Sequence, residues 1–116
     1  MKYYAISLLE MHNYLSSLQF QPILLPCKEK VYGKIIDKNV CLRIYTGIVN
    51  NESRECGEDA IRLCLVKRMS DGKVKGIMKT ARVYRVEGWQ HNLSKRVETI
   101  IEEYQQRQQR YVAIHN

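Results

Sequence analysis

No run of about 18 or more apolar residues occurs in this chain, so no membrane-spanning helix is expected. The opening residues carry Glu10 and His12 and lack both an uninterrupted apolar stretch and a small-residue cleavage site, so they do not read as a secretory leader. Cysteine is sparse and dispersed: Cys27, Cys41, Cys56 and Cys64 nowhere approach the close spacing that brings two thiolates onto one metal. They are therefore read as reduced thiols of a soluble, cytoplasmic protein. Also missing are the glycine-rich phosphate loop ending in Lys-Ser/Thr, the G-x-G-x-x-G dinucleotide turn, the G-x-S-x-G nucleophile elbow and the calcium-loop pattern. His12, His91 and His115 fall on expected helices or the tail, with no nucleophile pattern beside them. Hydrolysis of nucleotides, dinucleotide binding and triad chemistry are disfavoured, and no cofactor is expected.

What is present is an ordinary globular composition of 45% apolar and 27% charged residues over 116 positions, which fits one domain spanning 1–116. The net charge is +7, and it is confined. Residues 1–59 and 87–116 are each balanced. Between 60 and 86, Arg62, Lys67, Arg68, Lys73, Lys75, Lys79, Arg82 and Arg85 face only Asp71. A local excess of this kind makes a positive potential that attracts polyanions, whereas lysines on a solvated hairpin can equally serve to protect a sheet edge.

The hydrophobic pattern indicates an α+β protein. Ser7-x-x-Glu10 has the form of a capping box, and Leu8, Met11, Leu15 and Leu18 follow at helical steps, giving about three turns that end before Pro22. Pro22 and Pro26 bracket Ile23–Leu25, read as a connector over the core. From Val31 the period changes to two. A first strand over 31–36, a turn at Asp37-Lys38-Asn39 and a second strand over 40–49 make a hairpin, with Leu42, Ile44 and Ile48 inward. A third strand is expected at 60–67 and a fourth at about 74–86, joined through Asp71-Gly72, whose residues tolerate positive φ. The last element starts near Gly88 and carries Trp89, Leu93, Val97, Ile100, Ile101 and Tyr104 on one face. Continued to Arg110, its roughly 22 residues would span about 33 Å, more than such a domain needs for its own core. The residues beyond, Tyr111 to Ile114, either dock back or contact another subunit, so a homodimer through this helix is a possibility. The expected architecture is a four-stranded, mostly antiparallel sheet with an N-terminal and a long C-terminal helix on one face and the other face open.

On the open face, alternation suggests three pairs of an aromatic and a cation two residues apart: Tyr32 with Lys34, Arg43 with Tyr45, and Arg82 with Tyr84, with Arg62 alongside. Flat rings stack on unpaired bases and neighbouring cations neutralise the phosphates between them, the usual solution for single-stranded nucleic acid. Tyrosines also pair across strands with no ligand. The expected function is a small nucleic-acid-binding protein, single-stranded DNA or RNA preferred. Lys73, Lys75, Lys79, Arg82 and Arg85 would serve phosphates, and Tyr32, Tyr45 and Tyr84 would stack. A duplex reader is less favoured because the expected helices are close to neutral. Two alternatives stand beside this: a module that docks an acidic protein through the basic hairpin, and a metal-dependent nuclease using Glu52, Glu55, Glu58 and Asp59.

Overall fold

A computed structural model describes residues 3–50 and 60–115, the last three as backbone only. Helix α1 spans Leu8–Ser17 and starts as its sequence dictates: the Ser7 hydroxyl accepts from the Glu10 amide at 3.1 Å. It ends at a left-handed Gln19 (φ 68°), which sends the Phe20 amide back to the Leu15 carbonyl at 2.9 Å and the Gln19 amide to that of Ser16 at 3.0 Å. This Schellman closure reverses the chain and drops Phe20 into the core.

Among the described residues the sheet has six strands where four were expected: β1 (Gln21–Ile23), β2 (Val31–Asp37), β3 (Val40–Tyr45), β4 (Ile61–Arg68), β5 (Val74–Gly76) and β6 (Ala81–Val83), all pairs antiparallel. The order is β1-β2-β3-β4, after which β5 and β6 both pair with β4. The stretch read as a connector is the edge strand β1, and the lack of an amide on Pro22 is tolerated at an edge. The single fourth strand is two short pieces. β6 lies along the start of β4 and β5 along its end, with the partly buried Ile77 and Met78 packed against the core between them. The β2–β3 turn uses a left-handed Asn39 (φ 62°), and the β4–β5 turn a left-handed Gly72 (φ 83°).

Helix α2 runs from Trp89 to His115. At about 1.5 Å per residue its 27 residues extend some 40 Å, which accounts for the 50 Å long axis of a molecule only 29 by 24 Å across. Gln105 to Val112 are exposed.

Both helices cover one face. Leu42, Ile44, Ile61, Leu63 and Leu65 from the sheet, Met11 and Leu15 from α1, and Leu93, Val97 and Ile100 from α2 form one buried cluster. The helices meet where the Tyr14 ring packs edge-on to Trp89, 5.5 Å between centroids, and the Tyr14 hydroxyl donates to the Gln90 carbonyl at 2.6 Å. Farther along α2, the Tyr104 hydroxyl donates to the Asp37 carboxylate at 2.7 Å and ties the helix to the β2–β3 turn. That bond, followed by one from the Lys38 amide, holds the Asp37 carboxyl below its ordinary range. Burial, then Asp37 itself, pushes Tyr104 up to about 12.

A candidate nucleic-acid interface

The register decides which of the expected site residues share a surface. Tyr32 lies opposite Ile44 and Lys34 opposite Leu42, so both stand on the helix-covered face and not on the open one. Tyr32 is 3% exposed and its hydroxyl hydrogen-bonds His12 Nδ1 at 2.9 Å. Burial raises the pKa of that hydroxyl. Lys34 donates from Nζ to the Leu18 carbonyl at 3.2 Å and lies 5.8 Å from the Phe20 ring centre. It is a cation at the C-terminus of α1, where the helix dipole favours it. Neither residue stands on the open face with the other expected contacts.

Arg85 also departs from expectation. Alternation past β6 puts Arg82 and Tyr84 outward and Val83 and Arg85 inward, and Arg85 is 1% exposed. Its Nε donates to the Tyr4 carbonyl at 3.2 Å, while the Tyr4 amide donates to the Arg85 carbonyl at 2.7 Å. The residue fastens the N-terminal segment to the end of β6 and does not offer its charge to a phosphate.

Across the open face, Tyr45, Arg62 and Arg82 form one row over β3, β4 and β6. Arg62 is ion-paired with Glu29 and its guanidinium lies 5.1 Å from the Tyr45 ring centre. Glu29 is itself held by the Gly47 amide at 2.9 Å. The row is thus neutralised and its ring covered at the Tyr45 end, so the three-tyrosine platform does not form. In the next row, Arg43 donates to the Tyr45 hydroxyl over a long 3.5 Å, and its buried Nε has no acceptor among the described residues.

Arg82 is different. It is exposed, makes no ion pair among the described residues, and opens onto a groove of about 470 Å³ between β6 and α2. The helix side of that groove is Asn92, Lys95, Arg96 and Thr99, at the spacing i, i+3, i+4 and i+7 that aligns residues on one helical face. The buried stripe Leu93, Val97 and Ile100 anchors the other face and so fixes the direction of this one. Tyr84, 45% exposed, stands at the rim beside Tyr3, 6.4 Å between ring centres. Three cations converge here and, among the described residues, no acidic one lines the groove. Lys95 and Arg96 escape a count of charge along the chain, because Glu98, Glu102 and Glu103 cancel them in sequence although none of the three lines the groove.

The remaining basic residues form a second group. Lys67 and Lys75 are directly opposed across β4 and β5, with Lys73 and Arg68 adjacent, all exposed. Like charges in that relation repel unless a counter-charge is present. Lys79 is exposed in the stretch between β5 and β6. The acidic segment 52–59 of the nuclease reading lies outside the described residues, and among the described residues no group of three or more His, Cys, Asp or Glu side chains is placed to hold a metal ion. No described helix is long and apolar enough to cross a membrane. No family model, no curated protein and no solved structure matches this chain.

Proposed function

We propose that this protein binds single-stranded nucleic acid in the groove between β6 and α2. Arg82, Lys95 and Arg96 neutralise phosphates there, and Tyr84 offers a face to a base. The observation that carries the reading is the convergence of three cations from two elements, none ion-paired among the described residues, on one concave surface that no described carboxylate lines, beside an exposed tyrosine. A solvated surface usually intersperses both signs, and here the acids that neighbour the cations in sequence, Glu98, Glu102 and Glu103, do not line the groove. Lys79 and the Lys67–Lys75 pair extend the positive surface along the outer edge of the sheet and suit the onward path of the backbone.

The shape favours a single strand. A duplex reader inserts a helix about 10–12 Å across into a major groove about 12 Å wide. The basic face of α2 instead forms a wall of a groove whose other wall is β6. The exposed far end of α2 carries Arg107, already paired with Glu103 at 2.8 Å, and Arg110.

Titration of the full chain with a short oligothymidylate, followed by backbone amide shifts, tests this. Perturbations at 82–84 and 92–99 support the groove. Perturbations confined to 67–75 without Tyr84 would favour docking of an acidic protein through the hairpin instead.

A further inference from the structure

The open face of the sheet has a second concavity, away from the basic groove and of different character. Its floor is aliphatic: Ile35 from β2 and Val66 from β4, with Val74 on one side and Leu25 on the other, enclosing about 370 Å³. Ile35 is 79% exposed, a position the sheet leaves bare although the residue is among the more strongly apolar ones. Among the described residues two charged ones line the space, Arg43 and Arg68, and no carboxylate does. Through the register of Arg43 with Cys64, they stand four residues apart along β4, roughly 13 Å at the rise of an extended strand. Arg68 makes no side-chain hydrogen bond or ion pair among the described residues, and Arg43 has only its long bond to Tyr45 and a buried Nε–H with no acceptor.

We propose that this concavity binds a small amphipathic anion of the aliphatic carboxylate class, with its carboxylate on Arg43 and its chain over Val66 toward Ile35 and Val74. The volume lies in the range of small-ligand pockets, about 300–1,000 Å³. A protein partner needs a far broader patch, on the order of 800 Å² per side. A nucleobase would find no aromatic ring to stack on, because none lines the space. A neutral chain would leave both guanidinium groups uncompensated beside it, whereas a carboxylate gives Arg43 a strong acceptor and lies within the positive field of Arg68. The stem of Arg68 adds apolar wall at the far end, as long cationic side chains do. The inference is independent of the nucleic-acid reading, since it uses none of the same side chains.

The test is titration of the full-length protein with decanoate below its micelle concentration, followed by backbone amide shifts and calorimetry, with decanol and decyltrimethylammonium as controls. Shifts centred on Ile35, Cys41 and Val66, with decanoate binding at least about tenfold more tightly than either control, are expected. Arg43→Gln should weaken decanoate about tenfold or more and Arg68→Gln by a smaller factor. Because Arg68 is exposed, its variant remains informative if Arg43→Gln fails to fold. Equal binding of decanol, shifts located elsewhere, or Arg68→Gln unchanged within twofold would overturn the proposal. So would displacement of decanoate by oligothymidylate, which would make the concavity part of the nucleic-acid path.

Discussion

Arg82 lies directly across the β4–β6 ladder from Arg62, and the two arginines have opposite circumstances. Arg62 has Glu29 beside it and Tyr45 beneath it, whereas Arg82 makes no ion pair among the described residues and opens onto the groove shared with α2. Position in the sheet alone does not make a cation a ligand contact; the neighbouring carboxylate decides. Arg82→Ala should therefore weaken oligonucleotide binding and lower the salt slope by about 0.7 for a lost single-strand phosphate contact. Its stability, read by urea unfolding, should hold or rise, because a like-charge opposition is relieved. Arg62→Ala should leave the salt slope unchanged. A slope that falls for Arg62→Ala and not for Arg82→Ala would reverse the assignment.

Tyr84 and Tyr32 separate binding from folding. Tyr84→Ala removes an exposed ring from the rim of the groove and should cost about 1–3 kcal/mol of affinity if a base stacks there, with the unfolding midpoint nearly constant. Tyr32→Phe removes only the hydroxyl that His12 meets in the core. It should cost about 1 kcal/mol of stability and leave affinity alone. Anisotropy and urea titrations on the same two variants distinguish these outcomes, and an affinity loss for Tyr32→Phe at unchanged stability would contradict the register argument.

The Tyr104–Asp37 bond predicts how stability depends on pH. Asp37 has a lowered pKa when folded, so its contribution is present above the ordinary carboxylate value near 3.9 and is lost as pH falls through the lowered one. Tyr104 is pushed up to about 12, so its contribution is present below the ordinary phenol value near 10 and is lost as pH rises from there toward 12. The stability difference between wild type and Tyr104→Phe should thus be largest between these limits and shrink toward both. A difference constant from acid to alkaline pH would show that the bond contributes nothing specific.

Gln105 to Val112, at the far end of α2, are exposed. Deleting 111–116 should change unfolding stability by no more than about 0.5 kcal/mol, the usual range for surface changes. If two copies associate through this helix, as its length invites, the same deletion should halve the sedimentation mass. An unchanged mass would assign the overhang to the monomer.

The parts of the fold legible in the sequence are those whose signals are local. Ser7 caps α1, the Leu42–Ile44 alternation sets the phase of β3, and Trp89 to Tyr104 mark the buried stripe of α2. The phase of β2 is not local. In Val31-Tyr32-Gly33-Lys34-Ile35-Ile36 both alternating sets contain apolar residues, so only pairing with β3 reveals that Tyr32 and Lys34 face the helices. Pro22 reads as a stop signal and is instead an edge-strand residue. Alternation beyond Val83 turns Arg85 inward, which a count of charge by segment does not register. The same count hid Lys95 and Arg96, whose i, i+3, i+4, i+7 alignment with Asn92 and Thr99 is visible once the helix is drawn as a wheel.

The most direct test is fluorescence anisotropy of labelled single-stranded and duplex oligonucleotides against wild type and the Arg82→Ala, Lys95→Ala, Arg96→Ala triple variant, each at two salt concentrations. The account predicts salt-sensitive binding that favours the single strand, with the triple variant's slope smaller in magnitude by about 2, the sum for three phosphates. Equal binding and equal slope for wild type and the folded triple variant would contradict it and remove the β6–α2 groove from the binding surface.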